Sequence, residues 1–318
     1  MGRKHPASAA GIRHVVELVN SKQDHRRDRR WIWAINKGIG LAYALLAQRK
    51  EAKGVLLADI NLTDEAKLAI KEHTTIESVE CDVTRWADLE NLIDASIDRF
   101  GDVPDVFIAS AGVFEPPYSN FWEDPEPLDS NGPVLSILTK IKLTRIAIRS
   151  LLGHSKRGVV VIVGSIAGYS KQYPAPIYSA TKHAVVGFTR SLGPAQELQS
   201  VKVYSLMTAE NRMVETPIWT TGSPGSGDRF GIDASITIAS EEVARAIDEA
   251  VEMAEYPGGT ILEVSKDGTR VIPEWNITAP GLIDGQMGKG TTVPPDTIAK
   301  AMGPILARTA AERGLSNS

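Results

Sequence analysis

The chain has 318 residues, a net charge of −4 and an apolar share of 42%. That is enough for one large domain with a full core, and the charge is too mild for a nucleic-acid protein. A single cysteine, Cys81, excludes an internal disulfide and fits a reducing, cytoplasmic compartment. No apolar stretch is long enough to span a bilayer. The Arg-rich first thirty residues lack the apolar run of a secretory signal, and the basic run at residues 25–30 reads as a solvated segment. Neither membrane nor nucleic acid is therefore an expected partner.

In chain order, two segments compete for the first strand. Residues 29–33 stand just before a glycine pair but are rich in Arg and Trp, where a central parallel strand favours Val and Ile. Residues 11–19 have the apolar composition but need an insertion of about twenty residues before Gly38, long for a compact domain. Beyond Gly38 the periodicity alternates. Strands are predicted at 55–59, 76–81, 106–109, 159–163, 201–207 and 260–264, and helices at 64–73, 86–100, 134–152, 178–199 and 240–254. Continuous apolar strands alternating with helices predict an α/β fold, a doubly wound parallel sheet of the Rossmann type. Ligands of such sheets bind beyond the carboxyl ends of the strands. After Pro273 the chain is rich in Gly, Pro and Thr, then carries an amphipathic helix at 296–312 with Ile298, Met302, Ile305 and Leu306 on one side. The expected layout is a divergent N-terminal segment at 1–33 holding a candidate first strand, a Rossmann domain at 34–272, and an extension at 273–318 packed on it.

Gly38, Ile39 and Gly40 open a helix, and Asp59 ends the next strand nineteen residues beyond Gly40. Glycines at a helix N-terminus let a pyrophosphate approach the backbone N–H groups and the positive end of the dipole. An acid at the end of the second strand accepts both ribose hydroxyls and repels a 2′-phosphate, which favours NAD(H) over NADP(H). Asp82 and Val83, at the end of the third strand, are placed to meet the adenine.

The chemistry is carried further along. Gly164-Ser165-Ile166-Ala167-Gly168 follows an apolar strand, and Tyr178 and Lys182 stand one turn apart on one helix face. A free phenol has a pKa near ~10, too high for a base at neutral pH. A lysine one turn away favours phenolate, and Ser165 is positioned to hydrogen-bond a substrate oxygen. These are the parts of a carbonyl-reducing or alcohol-oxidising site. No histidine pair has metal-ligand spacing, and no G-x-S-x-G elbow surrounds Ser165.

Over residues 38–264 the chain resembles the short-chain dehydrogenase/reductase family. The carriers are Gly164-Ser165-Ile166-Ala167-Gly168, Tyr178-Ser179-Ala180-Thr181-Lys182 with its continuation to Leu192, and Val214-Glu215-Thr216-Pro217. Ala111-Gly112-Val113-Phe114-Glu115-Pro116-Pro117 is similar to a fungal branch related to 15-hydroxyprostaglandin dehydrogenases. The resemblance implies hydride transfer between a nicotinamide and a small-molecule alcohol or ketone. It implies Ser165, Tyr178 and Lys182 as catalytic residues, Lys182 on the nicotinamide ribose, Thr216 at the carboxamide, and Tyr178, Ala111 and Gly112 in the cofactor site. It also implies homodimers or homotetramers built from the two long helices.

The chain departs from that pattern at the joints. Ala34 stands where a glycine is expected, no asparagine occurs at 137–139 (Asn131 lies several residues early), and residues 207–213 replace a shorter proline-glycine loop. These changes predict weak cofactor affinity and low or no turnover. Trp219, Phe230 and the Gly- and Ser-rich residues 220–228 suggest a lid over an apolar pocket. Two other readings stay open: a redox-inactive scaffold that binds a ligand or acts as an isomerase or cyclase, and an enzyme sequence in which intron-derived segments near 21–37 and 129–139 replace coding sequence.

Overall fold

The computed structural model describes residues 31–34, 38–114, 121–122, 133–208, 213–214, 237–265, 267–274, 282–283, 286–287 and 295–315. Among these, eight strands form one sheet: β1 (Trp31–Ala34), β2 (Gly54–Asp59), β3 (Ile76–Glu80), β4 (Val106–Ala109), β5 (Gly158–Val163), β6 (Val201–Thr208), β9 (Ile261–Ser265) and β10 (Gly268–Val271). The short pairs β7 (Met213–Val214) with β8 (Thr237–Ile238), and β11 (Leu282–Ile283) with β12 (Gln286–Met287), lie apart from it. The order across the main sheet is β10-β9-β6-β5-β4-β1-β2-β3. All neighbours run parallel except β10, an antiparallel edge strand on β9 that the periodicity did not predict.

The competition for the first strand is settled by backbone pairing. Ile32 pairs with both Val55 of β2 and Val106 of β4, so the Trp-rich segment fills the centre of the sheet. A ladder is made of backbone groups, and a four-residue strand between two parallel neighbours satisfies them whatever its side chains. Residues 11–19 lie outside the described residues.

Strand residues alternate between two cores. Val55, Leu57, Val106, Ile108, Val161 and Leu206 face one side, with α1 (Gly38–Arg49), α2 (Asp64–Glu72) and α7 (Ser240–Glu252). Leu56, Ala58, Phe107, Val160, Ile162 and Val203 face the other, with α3 (Trp86–Phe100), α4 (Pro133–Gly153) and α5 (Pro176–Ser191). Burial on both faces explains the unbroken apolar runs of β4 and β5. Local signals set the helix ends. Thr63 Oγ1 accepts from Ala66 N at 3.1 Å to cap α2, and Gly101 closes α3 at φ 76°.

One expectation needs correction. The helix predicted at 178–199 is two helices, α5 and α6 (Ala195–Gln199), because Pro194 cannot continue the backbone ladder after Leu192 caps α5. The C-terminal helix α8 (Pro295–Glu312) leaves Ile305 and Leu306 exposed, while Met302 is half-buried. Its end is tied to α4 by an ion pair between Arg145 and Glu312 and by Gly314 N donating to Leu152 O at 2.9 Å. Among the described residues no helix is long and apolar enough to cross a membrane.

Candidate active site

Chain direction across the sheet reverses between β1 and β4, which creates a crevice at the carboxyl ends of those strands. Gly38 opens α1 there with φ 56°, a left-handed conformation that favours glycine, and the first turn carries no acidic residue. Ile39 and Gly40 follow, both buried. The positive end of α1 is thus suited to a phosphate.

Asp59 ends β2 beside it, with Oδ1 accepting from Ile60 N at 2.9 Å. At the end of β3, Asp82 N donates to Asp88 Oδ2 at 3.0 Å, and Asp82 Oδ1 accepts from Thr84 N at 2.9 Å. Buried Cys81 lies among these carboxylates. Burial, then Asp88, Asp82 and Asp59, push its thiol up to about 12. A helix N-terminus beside carboxylates at two adjacent strand ends suits a dinucleotide: phosphates at the helix, ribose hydroxyls and adenine at the acids.

Ser165 follows β5 and caps a single 3₁₀ turn, Ile166–Gly168, where its Oγ accepts from Ala167 N at 3.2 Å. This turn packs on α5: Ser179 Oγ donates to Ala167 O at 3.0 Å. Contact is so close that a Cβ on Gly168 would lie 2.7 Å from Lys182 O, a backbone atom that cannot swing aside. Gly168→Ala is expected to lower the unfolding free energy by about 1–3 kcal/mol, read from denaturant midpoints, as the turn is pushed off the helix. A variant as stable as the parent would show that the turn has room. Beyond the turn, Tyr169 hydrogen-bonds Glu263 of β9, which Arg270 grips at 2.7 and 2.8 Å.

Pro176 starts α5, its fixed φ suited to a first turn, and sets Tyr178 and Lys182 toward the interior. Tyr178 and Lys182 are buried. The Tyr178 ring packs on Phe114 at 4.7 Å between centroids and shares a small apolar cluster with Ala167 and Ala175. Lys182 Nζ lies 5.1 Å from the centre of the same ring. Burial lowers the Lys182 ammonium to about 8. Thus Tyr178 and Lys182 are brought together, and the turn capped by Ser165 adjoins them.

Comparison with known proteins decides the family. Residues 32–223, more than half of the chain, match the family model described as short chain dehydrogenase. The chain belongs to the short-chain dehydrogenase family. It is 35% identical over 160 residues to "Short-chain dehydrogenase/reductase prx4" of Penicillium roqueforti, covering 49% of this chain and 46% of that protein. It is 30% identical over 169 residues to human "15-hydroxyprostaglandin dehydrogenase [NAD(+)]", covering 52% and 60%. The chain spans about half the length of the Penicillium relative. Among solved structures, a 3-ketoacyl-(acyl-carrier-protein) reductase from Brucella melitensis complexed with NADH superposes with a TM-score of 0.61 at 22% identity, covering 74% of this chain and 95% of that one. That likeness supports the fold.

Ala34 is the last residue of β1, its backbone opposite Leu57. Met207 and Thr208 belong to β6, with Met207 wholly buried, so the first two residues of the altered 207–213 segment are strand. Residues 209–212, Thr216, Asn131 and the expected lid at 219–230 lie outside the described residues. Where an asparagine was expected in α4, Ile137 is buried in the core.

Sequence reading passed over Lys140. It is 1% exposed, and its Nζ donates to Ala111 O and, at 3.5 Å, to Ser136 O. A signal was present: Ile137, Lys140, Thr144, Ala147 and Leu151 repeat at three- and four-residue spacing, a core-facing stripe with a lysine in it.

Proposed function

We propose that the chain is an NAD(H)-dependent oxidoreductase that interconverts a secondary alcohol and a ketone on a small or medium hydrophobic substrate. The observation that carries this reading is the buried Lys182 ammonium beside the Tyr178 ring, in an apolar niche walled by Phe114, Ala167 and Ala175. A proton-transferring phenol beside a cation, with apolar surface at its edge, is what carbonyl chemistry needs. Gly38, Ile39, Gly40, Asp59, Asp82, Val83, Ala111, Gly112, Tyr178 and Lys182 would hold the nicotinamide cofactor, with Thr216 at the carboxamide. When bound, the nicotinamide gives or takes the hydride.

The residues divide the remaining work. Ser165 Oγ accepts from Ala167 N, which leaves its own proton free to donate to the substrate oxygen. Tyr178 passes a proton to that oxygen in reduction and takes it back in oxidation. The positive charge of Lys182 favours the phenolate form of Tyr178 and draws the ribose. Phe121, Trp122 and Tyr173 present exposed rings on the two segments leading from Phe114 and into α5, with Trp122 Nε1 donating to Tyr173 O at 3.0 Å. They favour an apolar substrate. An exposed stripe on α4, Val134, Leu138 and Ile141, supports assembly into homodimers or homotetramers.

The preference for NAD(H) follows from charge. Asp59 and Asp82 both act on Cys81, so negative potential gathers at the strand ends where a 2′-phosphate would sit. Fluorescence titration should give an NADH affinity at least about tenfold above that for NADPH, one charge repulsion of roughly 1.4 kcal/mol. Asp59→Ala should narrow the gap. Equal affinities in the parent chain would move Asp59 away from the ribose.

A further inference from the structure

The first turns of α4 carry three polar side chains that face inward. Thr139 Oγ1 donates to Val83 O at 3.2 Å, on the segment after β3. Ser136 Oγ accepts from Val113 N at 3.1 Å, on the segment after β4. Lys140 Nζ reaches Ala111 O on that same segment, and lies 3.6 Å from where a Cβ on Gly112 would stand. α4 thus grips both segments that border the crevice beyond β1. A lysine is an expensive way to make such a grip. It strips an ammonium of water, whereas an asparagine or serine would offer a donor at less cost.

We propose that Lys140 is a positioning residue for the nicotinamide cofactor, its amine pinning the Ala111–Val113 segment to α4 at the wall of the site. The inference rests on the reading of Ala111, Gly112 and Lys182 as cofactor contacts. The amine does this uncharged. Its two carbonyl partners, Ala111 O and Ser136 O, match the two N–H groups of a neutral amine, and neither is a carboxylate. Burial and the neighbouring Lys182 charge hold Lys140 well below the ordinary lysine range. The surrounding elements offer it no counter-ion among the described residues. β4 and β5 carry no ionisable side chain along their lengths. Glu90 of α3 is engaged by Lys142 and Arg149, and Glu312 of α8 by Arg145. From α5 come Lys182, a like charge, and Tyr178. Positive charge therefore resides on Lys182, where the ribose and phenol need it, while Lys140 supplies donors.

The test is NADH titration by fluorescence across pH 6 to 10 on the full chain, Lys140→Met and Lys140→Gln, with melting temperatures recorded alongside. Met keeps length and loses the donors; Gln restores an –NH₂ with two donors and no titration. Lys140→Met is expected to weaken NADH by about tenfold or more, the loss of a buried donor to a cofactor-bearing loop. Lys140→Gln should return the affinity to within about threefold of the parent. Affinity of the parent should decline through the Lys182 midpoint, near pH 8, and that midpoint should stay in place in Lys140→Gln. Parent-like affinity in Lys140→Met overturns the proposal, as does a Gln variant no better than Met. An upward shift of the midpoint in Lys140→Gln would mean that the amine had been charged, and overturns it too. Absence of saturable NADH binding by the parent would instead sink the cofactor reading itself, and this inference with it.

Discussion

Tyr178→Phe should abolish measurable turnover while leaving the fold and the cofactor site in place. The substitution removes one hydroxyl, and the ring keeps its packing on Phe114 at 4.7 Å and its place beside Lys182. Loss of a general acid–base typically costs 10²- to 10⁴-fold in rate, and no other described side chain is proposed for that proton. The melting temperature should move by no more than about 2 °C, and NADH affinity by no more than about threefold. Rate at saturating substrate, cofactor affinity and melting curve together check the expectation. Turnover within a few-fold of the parent would remove Tyr178 from the chemistry. A parent chain that binds NADH yet turns over no secondary alcohol or ketone would favour the ligand-binding scaffold.

Much of this site was written in local sequence. The 3₁₀ turn of Ile166–Gly168 and the first turns of α5 are short-range structures, so spacing and the preceding strand place Ser165 after β5 and Tyr178 and Lys182 on one helix face. The strands too were legible, because burial on both faces leaves no polar residue to interrupt β4 and β5. What could not be read was decided over distance. β1 is a strand because β2 and β4 leave a slot with unpaired backbone between them, and nothing in Trp31-Ile32-Trp33-Ala34 states this. The antiparallel β10 depends on β9 having a free edge. The ties between α8 and α4, the Arg145–Glu312 ion pair and Gly314 N on Leu152 O, join residues far apart in sequence. Lys140 hid for a different reason. A lysine within a helix reads as solvated by default, and only its place in the stripe from Ile137 to Leu151 argues otherwise.

Lys182→Met should stabilise the protein at neutral pH even as it weakens cofactor binding and removes activity. Burial holds the Lys182 ammonium at about 8 in the folded chain, against 10.5 for an ordinary lysine. Between those values the unfolded chain binds more protons than the folded one, so this group makes stability rise with pH across that interval. Below pH 8 the full penalty applies. The separation amounts to about 3 kcal/mol at pH 7 and falls to about 2 kcal/mol at pH 9. Methionine has no charge to desolvate, so the variant's advantage in unfolding free energy should follow the same decline. The parent's own pH profile will not display this cleanly. Cys81, raised to about 12 from 9.0, acts in the opposite sense above pH 9, because the unfolded thiol releases its proton first. Buried Tyr204, held above its ordinary 10.0, adds to that loss at higher pH. The difference between variant and parent cancels both. Denaturant unfolding of the two proteins at pH 7 and pH 9 measures it, and a variant less stable than the parent at pH 7 would mean that Lys182 is held by compensating contacts and carries no net cost. A gain in stability joined to a loss of NADH affinity is the signature of a charge kept in an apolar niche because the chemistry of Tyr178 requires it.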